Sequence, residues 1–232
     1  MAKKIIGFIE THIEQGPVLE AAETTIGAVT GVQGISWTEF TIDGQSNHAG
    51  TTPMHLRHDA GYAAAAITTH VRSIALSMGD GQVATVGRLD LHPDLVNVVA
   101  GMASLTVDLR NTDETLLVAA EENLAAFVAD LASKEGVSVN DRQLARFEPV
   151  DFDPRVIGTV SRVAHELDHS VLTIPSGAGH DAQMMARVCP TGMIFVPCEN
   201  GVSHNEAENA SSSDLAAGCD VLLSAILRCA LD

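Results

Sequence analysis

The sequence is short of basic charge, aromatic residues, cysteine and long apolar runs, and each shortage removes a class of protein. Against 30 Asp and Glu there are only 13 Lys and Arg, a formal net charge of -17. Neutralising a nucleic-acid backbone needs clustered Lys and Arg, so nucleic acid is excluded as a partner. The acidic balance serves solubility, and a small anionic substrate needs only one local cation. Aromatics make up 3% of the chain, so the cores must be packed by Val, Leu, Ile and Ala, which favours an α/β or α+β chain. The four cysteines, Cys189, Cys198, Cys219 and Cys229, show no C-x-x-C spacing. They read as reduced thiols of a cytoplasmic protein rather than as disulfide or zinc-knuckle partners. No run approaches the roughly 18 apolar residues of a membrane span, and Met1 to Ile6 lacks an apolar core of signal length. A soluble intracellular chain with no membrane partner is expected.

What is present is enough core for one large or two small domains, 46% hydrophobic residues in 232. A strand is expected at 5–13, ending at Gln15-Gly16-Pro17, followed by short extended pieces up to 33 punctuated by Gly27 and Gly31. Between 34 and 147 the pattern reads strand (35–42), Ala-rich helix (57–78), strands (83–91 and 103–109) with a short extended piece at 95–99, helix (112–136) and strand (137–147). That order matches the split βαβ of a ferredoxin-like sandwich. Residues 148–232 then alternate helix (154–167), strand (171–174), Gly-rich turn with a helix, strand (192–196) and helix (213–230). With 1–33 they form part of a parallel α/β domain. The expected fold is therefore α/β, with a ferredoxin-like domain inserted into a partial α/β domain.

Four loop-like segments concentrate chemistry-bearing residues: Glu10 to Gly16, Ser46 to Met54, Ser176 to Ala182 and Gly201 to Glu208. On a strand Glu10, His12 and Glu14 share a face, so carboxylates flank an imidazole that they could orient, or with which they could share a cation. A solvated strand end with a hydrogen-bonded histidine fits the same residues. His48 lies in a polar turn and reads equally as an exposed loop histidine. Asp181 either orients His180 or caps the following helix. Asn97 and Arg110 stand near the ends of two consecutive strands, where an amide and a planar guanidinium could converge on a carboxylate; a surface arginine on a sheet is the plainer alternative.

Taken together, E-T-H-I-E-Q-G-P-V-L-E, N-H-A-G-T-T-P-M, N-V-V-A-G with L-T-V-D-L-R, S-G-A-G-H-D-A and G-V-S-H-N-E-A-E resemble the allantoate amidohydrolase, N-carbamoyl-L-amino-acid hydrolase and β-ureidopropionase group of the M20 metallopeptidase-like superfamily. The likeness runs in order through essentially the whole chain. It implies two divalent metal ions, zinc or manganese, in the α/β domain, and a lid domain that also makes a homodimer. By motif position His12 would ligate one metal and His204 the other. Gln15 would bind substrate, and His48 of the lid would stabilise the oxyanion from across the dimer. Asn97 and Arg110 would hold the substrate carboxylate, and backbone groups of the turn with Gly177 and Gly179 would touch the same small molecule.

The resemblance also implies upstream motifs that this chain does not contain: a histidine, a bridging aspartate and a pair of glutamates, one binding metal and the other acting as general base. The metal site in this chain is therefore incomplete, and the chain alone is expected to be nearly inactive, its missing N-terminal part being supplied by another segment or chain, cut away from this sequence, or lost. The expected activity of the whole is hydrolysis of a carbamoyl or ureido amide in a small carboxylate substrate such as allantoate or an N-carbamoyl amino acid. The alternative is a non-catalytic dimerisation or binding module derived from such an enzyme. Retention of His12, Gln15, His48, Asn97, Arg110 and His204 favours the enzyme, because a drifted module has no need of metal ligands.

Overall fold

The computed structural model describes residues 5–79 and 81–231; the Lys3-Lys4 pair and the expected domain limits at Met1 and Asp232 lie outside the described residues. The chain divides into two units, Met1–Gln33 with Val150–Asp232, and Gly34–Pro149.

The inserted unit holds four long strands, β3 (Gly34–Asp43), β5 (Val83–His92), β7 (Met102–Asn111) and β8 (Ser138–Phe147). Its two helices are α2 (Ala60–Met78) and α3 (Glu114–Glu135). The sheet order β5-β7-β3-β8 with every pairing antiparallel is the ferredoxin-like βαββαβ arrangement. Strand β7 shows why it forms: Ala103, Leu105, Val107 and Leu109 are buried while Ser104, Thr106, Asp108 and Arg110 alternate on the other face. The buried row packs with Ala60, Ala63, Ala64, Ile67, Val71 and Ile74 of α2 and with Leu117, Leu124 and Val128 of α3. Both helices are punctuated as their sequence dictates. Asp59 caps α2 by accepting from the Tyr62 N–H; Asp113 caps α3, which stops at Gly136 in the left-handed region (φ 63°). Helix α2 thus begins three residues later than expected, because Arg57 is extended (ψ 144°) after a short 3-10 turn at Met54–Leu56. The extended piece expected at 95–99 is a two-residue strand, β6 (Val98–Val99), paired with β4 (Asn47–His48).

The other unit contains β1 (Phe8–Ile13), a short α1 (Val18–Ala21), β2 (Ile26–Val32), β9 (Val150–Asp151), α4 (Pro154–Glu166), β10 (Val171–Ser176), α5 (Asp181–Met185), β11 (Thr191–Val196) and α6 (Ser212–Leu231). Its sheet runs β1-β11-β2-β10. Two expectations are corrected here. The sheet is mixed rather than parallel: β1 with β11 and β10 with β2 are parallel, but β2 is antiparallel to β11. Residues 26–32 are one buried strand, not broken pieces. The glycines that read as breaks are close-approach positions, since a Cβ at Gly27 would lie 2.9 Å from Phe195 Cβ and one at Gly31 only 2.3 Å from the Val150 carbonyl oxygen. One face of the sheet packs Ile9, Ile13, Ala28 and Ile194 under α4 and α6. The opposite face packs Phe8, Val29, Met193 and Phe195 against Leu19 of α1 and Ala182 of α5. Every residue of β11 is buried because both layers meet there.

Candidate active site

Glu10 and His12 share the face of β1 that carries Phe8, the face covered by α5. The carboxylates expected to flank His12 as partners are engaged elsewhere. Glu14 accepts from the Val18 and Leu19 N–H groups, 2.8 and 2.7 Å, and so caps α1. Glu10 Oε2 accepts from the Ala182 N–H of α5 at 2.8 Å. His12 instead places Nδ1 2.9 Å from the Ile13 carbonyl. A carbonyl only accepts, so Nδ1 carries the proton and Nε2 presents the lone pair.

The ring of His180 stands edge-on to that of His12, centroids 4.8 Å apart, and 5.7 Å from that of Phe195. Its Nε2 is 2.8 Å from Ser176 Oγ and its Nδ1 3.8 Å from Glu10 Oε1, with the His180 side chain 2% exposed. Burial, reinforced by the His12 imidazole and opposed by Asp181, pushes His180 down to about 4, so it is neutral at pH 7. Gly177 and Gly179 lie in the turn between Ser176 and His180, where Ser176 Oγ accepts from the Ala178 N–H and donates to its carbonyl. A Cβ at Gly177 would be 3.7 Å from Gln33, and one at Gly179 the same distance from Gln183.

A second arm reaches this unit's 200–208 loop. Gln15 Nε2 donates to Ser203 Oγ at 3.0 Å, and that hydroxyl donates to Glu208 Oε2 at 2.7 Å. The same oxygen accepts the His204 N–H at 3.0 Å. The Ser203 hydroxyl, then the His204 N–H, hold the Glu208 carboxyl below its ordinary value, and the His204 and His12 imidazoles act in the same direction. Gln15 (φ 59°) and His204 (φ 54°) both sit in the left-handed region, at a cost of order 1–3 kcal/mol each. Glu208 was not singled out from the sequence; the signal was its place four residues after His204 in the last motif.

In the inserted unit, His48 and Asn97 are neighbours: the Ala49 N–H donates to the Asn97 carbonyl at 2.9 Å, beside the pairing of His48 with Val98. Arg110 is placed differently. Its Nε and Nη2 donate to both oxygens of Asp108 at 2.6–3.0 Å, and its guanidinium lies 5.8 Å from the centre of the Trp37 ring. Arg110 pairs with Val83 at one end of the β5–β7 hairpin, and Met102 with His92 at the other. At ~3.3 Å per residue those ends are about 26 Å apart, and Asn97 belongs to the connection at the Met102 end. The expected convergence of Asn97 and Arg110 on one carboxylate therefore does not occur within one copy.

Among the described residues no three His, Cys, Asp or Glu side chains are grouped to hold a metal ion. His12 and His204 offer one imidazole each, which does not make a binding site. All four cysteines are free, and no helix is long and apolar enough to cross a membrane among the described residues.

A mixed-sheet α/β unit interrupted by a ferredoxin-like unit, with histidines and amides gathered on one sheet face and its adjoining loops, is the architecture of the M20 fold. Residues 1–228 match the model of peptidase family M20/M25/M40, and the chain belongs to that family. It is 42% identical over 229 residues to an N-carbamoyl-L-amino-acid amidohydrolase of Rhizobium meliloti, covering 99% of this chain and 55% of that protein. It is 38% identical over 218 residues to the allantoate amidohydrolase of Escherichia coli K12, covering 94% of this chain and 53% of that one. The crystal structure of a hydantoinase/carbamoylase family amidase from Burkholderia multivorans superposes with a TM-score of 0.97 at 41% identity, covering 100% of this chain and 56% of that one. The chain thus spans about half the length of the relatives it matches.

Proposed function

We propose that this chain carries part of the active site of a cytoplasmic amidohydrolase that cleaves a linear C–N amide bond in a small carboxylate-bearing carbamoyl or ureido compound, such as allantoate or an N-carbamoyl amino acid. One observation carries the reading: Gln15 and His204 are tied through Ser203 and Glu208, and His12 acts on the same carboxylate. Two motifs far apart in sequence thereby meet at one place. In this reading His48 donates a hydrogen bond to the oxyanion that forms as the amide carbonyl is attacked. Gln15 orients the substrate, and the turn at Gly177 and Gly179 offers it backbone groups. Asn97 and Arg110 hold its carboxylate. Since one copy keeps those two apart, the carboxylate is gripped by Asn97 and Arg110 of different copies. The exposed edge strand β5, with Leu89 42% and Leu91 38% exposed, is where two lids would pair.

The family resemblance implies a pair of divalent metals, and the residues present do not complete their site. His12 and His204 are the ligands this chain would contribute; the remainder, and the general base, must come from the portion of the relatives that it does not cover. The purified 232-residue chain is therefore expected to bind less than stoichiometric zinc or manganese and to leave allantoate and N-carbamoyl amino acids intact. Robust turnover by this chain alone would overturn the reading. Adding a polypeptide with the uncovered portion of the Rhizobium meliloti relative should restore turnover, and His12→Ala or His204→Ala should abolish the rescue.

A further inference from the structure

The turn that carries His48 is braced by one side chain. Arg57 donates from Nε to the Thr52 carbonyl at 3.0 Å and from Nη2 to the Ala49 carbonyl at 2.5 Å. These two carbonyls bracket the tip at Gly50 and Thr51. The Thr52 N–H in turn donates to the His48 carbonyl at 3.2 Å. Inside this closed turn the Gly50 N–H points at His48 Nδ1, 3.0 Å away, and donates to it. An N–H cannot accept, so Nδ1 presents its lone pair, and the single proton of the neutral imidazole sits on Nε2. The cage is tight: a Cβ at Gly50 would stand 3.3 Å from His48 Cε1.

We propose that Arg57 is a positioning residue for His48: by clamping the Ala49 and Thr52 carbonyls it keeps the Gly50 N–H on Nδ1 and fixes His48 as an Nε2–H donor. The proposal rests on the reading of His48 as the oxyanion's hydrogen-bond donor. A developing negative charge needs a proton aimed at it; the opposite tautomer would present a lone pair to that charge and repel it. Arginine suits the task because its planar fork reaches two carbonyls at once and its charge is permanent, whereas a lysine ammonium is a point donor on a flexible stem.

The test uses the full 232-residue chain with ring-¹⁵N histidine at about pH 8.5, two units above the ordinary histidine pKa. His48 is assigned by the signals lost in His48→Gln. In the native chain its Nδ1 should resonate as an unprotonated nitrogen and its Nε2 as a protonated one. Arg57→Met should move the two resonances toward each other while the other histidines stay put, Arg57→Lys should move them less, and Gly50→Pro should move them with Arg57 intact. Should Arg57→Met not fold, Arg57→Gln, which keeps a single donor nitrogen in place of the fork, must give an intermediate displacement. A native His48 protonated on Nδ1, or resonances unmoved by the Arg57 variants, would overturn the proposal. In the enzyme completed with the uncovered portion, Arg57→Met should lower kcat by about 10-fold with KM little changed, less than the roughly 10²-fold loss of an oxyanion donor. The two ideas fail separately. If His48→Gln leaves turnover intact, the oxyanion reading falls while the tautomer result stands; if it abolishes turnover and Arg57→Met leaves the tautomer fixed, the positioning role falls.

Discussion

Helix α5 is five residues long and has no side-chain cap of its own: His180, at the N-cap position, makes no capping hydrogen bond. Its first turn is held from a different strand, by Glu10 Oε2 on the Ala182 N–H at 2.8 Å, from a side chain 19% exposed. So short a helix does not persist unaided, and the turn with Gly177, Gly179 and His180 leads directly into it. Replacing Glu10 by Ala removes a hydrogen bond to a charged acceptor, worth about 1.5–3 kcal/mol net, and a cap of about 0.5–2 kcal/mol. These describe one interaction, so the expected cost is about 2 kcal/mol rather than the sum. Glu10→Gln keeps an acceptor but loses the charge and should cost about half of that. Hydrogen exchange at the Ala182 amide reads the local opening directly. With tenfold for each 1.4 kcal/mol, it should quicken about 30-fold in Glu10→Ala and about 5-fold in Glu10→Gln. Equal acceleration in the two variants would show that charge is not the stabilising element. Acceleration below twofold in both would refute the capping role.

Other expected outcomes follow from single positions. Gly31→Ala places a methyl group 2.3 Å from the Val150 carbonyl oxygen and should cost about 3 kcal/mol in urea unfolding, whereas Gly158→Ala in α4, with nothing within 4 Å, should stabilise by about 0.5–1 kcal/mol. The Arg155 side chain, followed by its backbone N–H, holds the Asp153 carboxyl below the ordinary 3.8. A lowered folded-state value means that the stabilisation is present above 3.8 and is lost as pH falls through the folded value, so the difference in thermal midpoint between the native chain and Asp153→Asn should be constant at neutral pH and close below about pH 4. Gln15→Gly should be more stable than Gln15→Ala by about 1–2 kcal/mol, the reverse of the usual order, because only glycine relieves the left-handed backbone.

The sequence was most legible where a rule acts over a few residues. Asp113 before a helix, Gly136 after it, and the alternation of Ala103 to Arg110 each fix a local outcome that packing then respects. It was least legible where a residue answers to a distant neighbour. Gly27 and Gly31 punctuate a string of letters like loop residues, yet each is small because Phe195 or Val150 comes close. The direction of β2 against β11 has no local signature, and the mixed sheet followed from it. Among candidate residues, spacing drew attention to His12 and the family resemblance to Gln15 and His204, but neither pointed to Glu208 or Arg57, whose contacts exist only once Ser203, Ala49 and Thr52 are in place. Alternation put Glu10 and Glu14 beside His12, but a tertiary contact gives Glu10 to the start of α5, and a local one, four and five residues on, gives Glu14 to the start of α1.

Backbone strain bears on the choice between an enzyme fragment and a drifted binding module. Gln15 and His204 both hold a left-handed conformation without being glycine, and each costs of order 1–3 kcal/mol. A chain released from catalysis can recover that energy by a single substitution at either position, and nothing in the packing of an exposed His204 opposes it. The two residues are also the two that Ser203 and Glu208 draw together, although Glu23, Asp94, Asp168 and Asn200 hold positive φ as well. A module that served only to dimerise through its inserted unit would have no use for directed side chains in the other. The strain at 15 and 204 does not by itself decide between the two origins, and accords with the proposed function, in which both side chains must be directed.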